Sequence, residues 1–416
     1  MTSQQQELYE SERTTAEAEE LASSSGQAGA EPTEPAGERD ARIVLSRIAE
    51  PGDPVLFAAV QSRGAVRVLD ELAGGGLAHP WVARYAARLA DTHRDALLAA
   101  ARAADAEVLC PWDAAWPARL DELVELDGVA APPLVLWVRG NAGALSSRLA
   151  IGMVGARGAT AYGTGVATDL AYELTSRGCV VVSGGAYGID AAAHRAALAA
   201  EGLTVAVLGC GIDQAYPAGH ANLLAAIAAG GAVISEVPPG TPPSRARFLT
   251  RNRLIAGLSD GVVVVEAAVR SGALNTAGWC AQLSRPVMAV PGPVTSQMSA
   301  GTHLAIARRG ASLVCDAGDV LELMSPSGMA MTAEPRADPR ARDLLSAPAT
   351  AVLEALPSRG AKDAGQLAVA AGLTLDATIA ALGLLASDGW VERVTAGWRR
   401  SGSGVTAANG GSRDDA

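Results

Sequence analysis

The chain has 416 residues, enough for two to four ordinary domains with a well-buried core. Its net charge of −11 sits mostly at the front: residues 1–40 carry ten acids against Arg13 and Arg39, leaving only −3 for the rest. An acidic balance of that kind does not exclude a polyanionic partner. Of the 33 basic residues only Lys362 is lysine, which argues against a catalytic lysine, and the arginine, alanine and glycine abundance reflects a GC-rich genome more than a mechanism.

Residues 1–40 are rich in Glu, Ser, Gln, Ala and Gly and nearly free of large apolar side chains, so they read as a disordered acidic tail. Nothing in MTSQQQELYESER has the basic and apolar regions of a secretory signal. From 41 to 106 helical patterns follow, Ile43-Val44-Ile48, Val55-Leu56-Val60 and Val66-Leu69-Leu72, broken by Pro51-Gly52 and Gly74-Gly75-Gly76. They predict a small helical module. A connector over 107–147 then reads as short strands beside one helix.

The region 148–324 alternates strand and helix. The strand runs are LAIGMVG (149–155), CVVVSGG (179–185), TVAVLGCG (204–211), AVISEV (232–237), GVVVVEA (261–267), PVMAVPG (286–292) and ASLVCD (311–316). Near-continuous apolar strands between helices mean a sheet buried on both faces, so the fold class is α/β, a Rossmann-like doubly wound parallel sheet. A Pro- and Gly-bearing linker over 325–345 precedes three helical runs and a hairpin around Ala396-Gly397 at 346–400, the pattern of a winged helix. Residues 401–416 read as a second disordered tail.

The five cysteines are odd in number and form no CxxC pair, against a disulfide framework or zinc site and in favour of a reducing, cytoplasmic setting. The longest uncharged stretch, Gln214 to Ser235, is broken by Pro217, Gly219, His220, Asn222 and Gly230-Gly231, so no membrane partner is expected.

In an open parallel sheet ligands bind outside the carboxyl ends of the strands. The loops expected there are glycine-bearing: Gly155 to Gly158, Ser183 to Gly188, Gly209 to Gly211, Pro238 to Gly240, Arg270 to Gly272 and Pro291 to Pro293. A whole rim of them predicts an anion-binding edge. A nicotinamide cofactor needs GxGxxG and an acid about 20 residues on; the first strand offers Gly152, Gly155 and Gly158, and the second ends without an acid. With no Gly-Lys-Ser/Thr either, no cofactor is expected.

Between Ser244 and Leu258, Arg245, Arg247, Arg251 and Arg253 surround Phe248, one of two phenylalanines in the chain. Arginine forks for phosphates beside an aromatic for a base are the combination used on single strands. An amphipathic helix with Phe248 in the core is the competing reading, and position on the sheet rim favours nucleic acid. Asp190 and His194, four apart on one helix, are read as structural because no third metal ligand is apparent. Ser183 lacks the GxSxG context of a hydrolase. Glu266, after the run Val262 to Val265, is read as fixing the rim through Asn252, Arg253 or loop amides. No catalytic residue is assigned, and the protein is read as a binder rather than an enzyme.

SGGAYGIDAAAH (183–194), AVLGCGIDQAYP (206–217), SEVPPGTPPSRARFLTRNRLIAGLSD (235–260), VVVEAAVRSGALNTA (263–277) and AVPGPV (289–294) together resemble the DprA (Smf) family of bacterial DNA-processing proteins. The resemblance runs from about Pro111 to Met324. It implies a Rossmann-like domain that binds single-stranded DNA, works as a homodimer, protects incoming DNA and loads RecA recombinase onto it in natural transformation. It also implies a SAM-like front module and a winged helix behind. Arg157 falls in the family's G-(S/T/A)-R motif, and Phe248, Arg251 and Arg253 in its Phe-x-x-Arg-Asn-Arg motif, both lining the DNA pocket. Together with the rim, the expected DNA-binding set is Gly155, Arg157, Ser183, Gly184, Tyr187, Gly188, Arg245, Arg247, Phe248, Arg251, Asn252, Arg253, Ser271 and Gly272, with Asp190 and Glu266 structural. Two departures stand out: Tyr187 where many members carry a basic residue, and Pro51-Gly52-Asp53 where a Gly-x-Gly hairpin is expected.

The alternative is a nucleoside-monophosphate-processing enzyme of the lysine-decarboxylase-like group. Its PGGxGTxxE signature has no counterpart in EAAVRSGALNTA or PGPVTSQMSAGT. A transcription regulator rests on the winged helix alone.

Overall fold

The seven apolar runs between residues 149 and 316 become seven strands, β3 (Ala150–Val154), β4 (Val180–Ser183), β5 (Thr204–Leu208), β6 (Ala232–Ser235), β7 (Gly261–Val264), β8 (Val287–Ala289) and β9 (Ser312–Leu313). The computed structural model describes residues 37–74, 80–126, 131–145, 149–325, 342 and 344–401. The front tail to residue 36, the Gly75-Gly76 break, residues 326–341 of the linker and the rear tail from 402 lie outside the described residues. Two further strands, β1 (Glu107–Leu109) and β2 (Leu136–Gly140), come from the segment read as a connector. All nine form one sheet in the order β1-β2-β6-β5-β4-β3-β7-β8-β9. The pairs from β6 to β9 are parallel, and β2 is antiparallel to both its neighbours.

Alternate side chains of these strands enter different cores, as the period of two requires. On one face Val180, Val182, Val205, Val207, Val262 and Val264 meet α9 (Arg245–Leu258) and α10 (Gly272–Gln282). On the other, Ile151, Met153, Val181 and Val263 meet α6 (Ala161–Ser176), α7 (Ile189–Ala199) and α12 (Ala317–Met324). Helix α8 (Ala221–Gly230) covers β5 and β6 through Leu223, Leu224 and Ile227. Helix α11 (Ala300–Arg308) packs Ala305 beside Ala289. The chain runs from β3 outward to β6 and then returns to β7 on the other side of β3, which makes the β3/β7 boundary the topological switch point.

The front helices are α1 (Glu38–Ile48), α2 (Pro54–Arg63), α3 (Ala65–Gly74), α4 (Pro80–Leu89) and α5 (Arg94–Ala103). Leu45, Ile48, Leu56, Val60, Val68 and Leu72 make their common core, while Ile43 and Leu97 turn to the sheet and join Cys110 and Trp137. Helix α1 begins at Glu38, inside the stretch read as tail. Glu38 is buried because its carboxylate accepts the Ala65 amide at the start of α3 (2.9 Å) and Arg42 Nε (3.2 Å), so this acid is a structural clasp.

The chain divides into two compact units near residue 332. The rear unit holds α13 (Ala347–Ala355), α14 (Ala364–Ala371), α15 (Leu375–Ser387) and the hairpin of β10 (Val391–Val394) with β11 (Gly397–Arg400). Its core is Val352, Leu353, Leu367, Leu382, Leu385 and Val391. Helix α14 opens on a capping box between Asp363 and Gln366. Among the described residues no single helix is long and apolar enough to cross a membrane.

Candidate nucleic-acid interface

A cleft of about 530 Å³ lies over the carboxyl ends of β3 to β7, at the switch point. Each strand-to-helix loop supplies one part: Gly155 and Arg157 after β3, Ala186 and Asp190 after β4, Tyr216 after β5, and Ser271 and Gly272 after β7. Ala273 and Thr276 come from α10, and helix α9 supplies most of the rest. Ser244 opens it by accepting the Arg247 amide (3.2 Å), and Arg245, Phe248, Leu249, Asn252 and Ile255 then recur at helical spacing along the cleft.

Phe248 is half-buried, with the guanidinium carbons of Arg157 and Arg251 at 5.6 and 5.8 Å from its ring centre. The two cations differ in kind. Arg157 is exposed, whereas Arg251 is buried and donates through Nη1 to the carbonyl of Gly184 (3.0 Å) and to that of Val207. A Cβ on Gly184 would stand 2.6 Å from the Arg251 guanidinium, so only glycine admits this approach. Burial lowers the Arg251 pKa to about 10, against the opposing pull of Asp190, and the group stays charged at neutral pH. Arg251 thus holds the β4–α7 loop and lends charge to the cleft, while Arg157 and Arg245 are free to meet a ligand from its mouth.

The acids serve the frame. Asp190 accepts the amides of Gly184 (3.2 Å) and Ala186 (3.3 Å), and burial raises its pKa against the pull of Arg251 and those amides. Glu266 accepts the Thr160 amide (2.9 Å) and hydroxyl (2.6 Å) and so ties β7 to the loop after β3. Its partners are this loop rather than Asn252 or Arg253. Asn252 instead donates to the carbonyl of Gly272 (3.3 Å) and to Asn275 (3.2 Å), linking α9 to α10. Ser271 caps α10 by accepting the Ala273 amide (3.2 Å).

Four residues expected at the DNA surface lie elsewhere. Ser183 is fully buried, its hydroxyl donating to the carbonyl of Met153 (2.6 Å) between β4 and β3. Gly188 has φ +77° and starts α7 away from the cleft lining. Arg247 bends toward the front helices and pairs with Glu50 (3.1 Å). Arg253 is completely buried, and its Nη2 donates to both oxygens of Glu236 (2.6 and 2.7 Å). The Gly52 amide donates to the same carboxylate (3.0 Å). With Gly52 at φ +71° and its would-be Cβ 2.7 Å from Arg253 Nε, the Pro51-Gly52 turn seats the front helices directly on this ion pair. Glu236 and Tyr216 were absent from the expected set. Glu236 was visible as an acid ending an apolar strand, as Glu266 is, whereas Tyr216 sits in a long loop that no period orients.

Below the Ser183–Gly188 loop, His194 is buried with Nδ1 at 2.7 Å from the Thr204 hydroxyl, which itself donates to the carbonyl of Val181 (2.8 Å). The hydroxyl proton being committed, Nδ1 carries the hydrogen, and Nε2 has no partner among the described residues. Burial drives the His194 pKa down to about 3. Asp190 and His194 therefore serve separate hydrogen bonds.

The family model for DNA recombination-mediator protein A matches residues 107–325. A DNA processing protein DprA of Mycobacterium tuberculosis (strain ATCC 25618 / H37Rv) is 45% identical over 376 residues, covering 88% of this chain and 96% of the relative. The DNA processing protein DprA of Bacillus subtilis (strain 168) is 39% identical over 197 residues, covering 47% of this chain and 66% of the relative. Among solved structures, DNA processing protein A of Streptococcus pneumoniae aligns with a TM-score of 0.58 at 29% identity, over 70% of this chain and 98% of that one.

Proposed function

The chain belongs to the DNA recombination-mediator protein A family, and on that premise we propose that its cleft binds single-stranded DNA with little sequence preference. The observation that carries this reading is the Phe248 ring at the switch point with the Arg157 and Arg251 guanidinia at 5.6 and 5.8 Å from its centre. A base can lie on that ring only if it is unpaired and unstacked, and every base offers a π-face, so the site favours single strands and tolerates sequence. Arg157 and Arg245 take the backbone phosphates as bidentate forks.

Within this reading the protein acts as a homodimer that protects incoming strands and hands them to RecA recombinase, with a SAM-like front module and a winged helix behind. The winged helix is assigned a protein-contact role. Its third helix α15 carries Asp376 and no basic residue, and its hairpin arginines are engaged: Arg399 with Glu392 (2.8 Å), Arg400 with the carbonyl of Leu353 (2.9 Å), and Arg393 over Trp398. The nucleoside-monophosphate reading lacks a base, since both oxygens of Glu266 are occupied by Thr160 and the side chain is buried. The test is a titration of the full chain with labelled single- and double-stranded oligonucleotides of the same sequence. Tighter binding of the single strand supports the proposal, and equal affinity refutes it.

A further inference from the structure

A second, smaller cavity of about 150 Å³ adjoins the main cleft. Phe248, Tyr216, Arg157, Ala186 and Arg251 line both spaces. The outer wall of the smaller one is Tyr187 with Pro217 and Ala218. Tyr216 lies against Phe248 with ring centres 5.0 Å apart and planes tilted by 31°, and Tyr187 stands edge-on to His220 at 4.4 Å. Both tyrosines keep much of their surface open, 38% for Tyr216 and 50% for Tyr187, although nearby apolar residues are buried.

Exposed tyrosine walls around a small cavity, with the exposed Arg157 among its lining, match a planar base attached to an anionic backbone. We propose that the smaller cavity is a second base subsite, so that the cleft takes two successive bases, one in each compartment, with the Phe248–Tyr216 pair as the shared wall. Arg157 borders both compartments and meets the phosphate between the two nucleotides. Tyr187, exposed on the outer wall, offers its ring for stacking rather than a charge for phosphate. The affinity contributed here is insensitive to salt, because stacking releases no counterions. This inference rests on the single-strand reading and adds the number of bases held and the residues holding the second.

The experiment uses the full chain and its Tyr216→Leu, Tyr216→Trp and Tyr187→Leu variants, with thermal melting to confirm the fold. Each is titrated with oligothymidylate at several salt concentrations. Tyr216→Leu and Tyr187→Leu are expected to weaken binding by roughly 5- to 150-fold with the salt slope unchanged, and Tyr216→Trp to restore it. A ligand-side arm needs no variant: the wild-type chain should bind a thymidine dinucleotide more tightly than one whose second base is removed, by a similar factor. If the chain binds oligothymidylate but the leucine variants and the abasic dinucleotide bind as tightly as their parents, the second subsite is refuted and the single-strand reading stands. A leucine variant that lowers the salt slope also refutes it, since the tyrosine then acts through phosphate. Failure of the wild-type chain to bind any single strand overturns the reading and the inference together.

Discussion

The Glu236–Arg253 pair offers a sharp test of how the front helices are held. Glu236→Ala removes the acceptor of both the Arg253 guanidinium and the Gly52 amide, in a place where Arg253 has no exposure and its Nε and Nη1 already lack partners among the described residues. Leaving a buried charge unpaired costs about 3 to 5 kcal/mol. At roughly 2 to 4 °C per kcal/mol for a unit of this size, the melting temperature should fall by about 6 to 20 °C. Arg253→Met should cost less, because the Glu236 side chain is 11% exposed and still accepts the Gly52 amide. In the double variant neither charge remains, so its loss should fall short of the sum of the single losses by at least about 1 kcal/mol. Thermal and denaturant unfolding of the four proteins gives the coupling, and amide exchange at Gly52 reports whether the turn has lifted. Losses that add to within about 0.5 kcal/mol would show that the charges do not interact and that the front helices are seated by something else.

Three further outcomes follow from the same geometry. His194 binds a proton in the unfolded chain near its ordinary pKa of 6.5 but in the fold only near 3, so its contribution is complete above about pH 6.5 and lost on acidification toward 3. The slope is about 1.4 kcal/mol per pH unit in that window, and His194→Gln should flatten it; an unchanged pH profile by denaturant unfolding would contradict the neutral buried ring. Gly52→Ala should destabilise by at least about 1 kcal/mol, from its positive φ and its contact with Arg253, and a neutral effect on melting would dismiss the close approach. Replacing Arg393, Arg399 and Arg400 together by alanine should change single-strand affinity by less than about threefold, and a loss beyond about tenfold would assign the rear unit a direct part in DNA binding.

Much of this was legible in the chain. The strands β3 to β8 announced themselves because buried parallel strands must be apolar on both faces, and the rim followed from the glycines at their ends. Arg251 and Arg253 show where composition misleads. Two residues apart on a helix they point about 200° apart, so both cannot face one cleft, and α9 turns Arg251 inward to the rim and Arg253 to Glu236. That much was available from the helical period alone. The seating of the front helices on the Arg253–Glu236 pair was not, since Gly52 and Glu236 are 184 residues apart. Tyr216 was hidden for a different reason: it lies in the long connection between β5 and α8, where no period fixes which way a side chain points.

Arg157→Ala tests the central claim most directly, because Arg157 is exposed and its loss leaves the frame intact, unlike that of Arg251. Affinity is measured by fluorescence titration of the wild-type and variant chains with single- and double-stranded oligonucleotides across a salt series. The account predicts weaker single-strand binding for every sequence tested, with a salt slope smaller by about 0.7, one phosphate contact. Unchanged single-strand affinity and slope in Arg157→Ala would place the DNA somewhere other than this cleft.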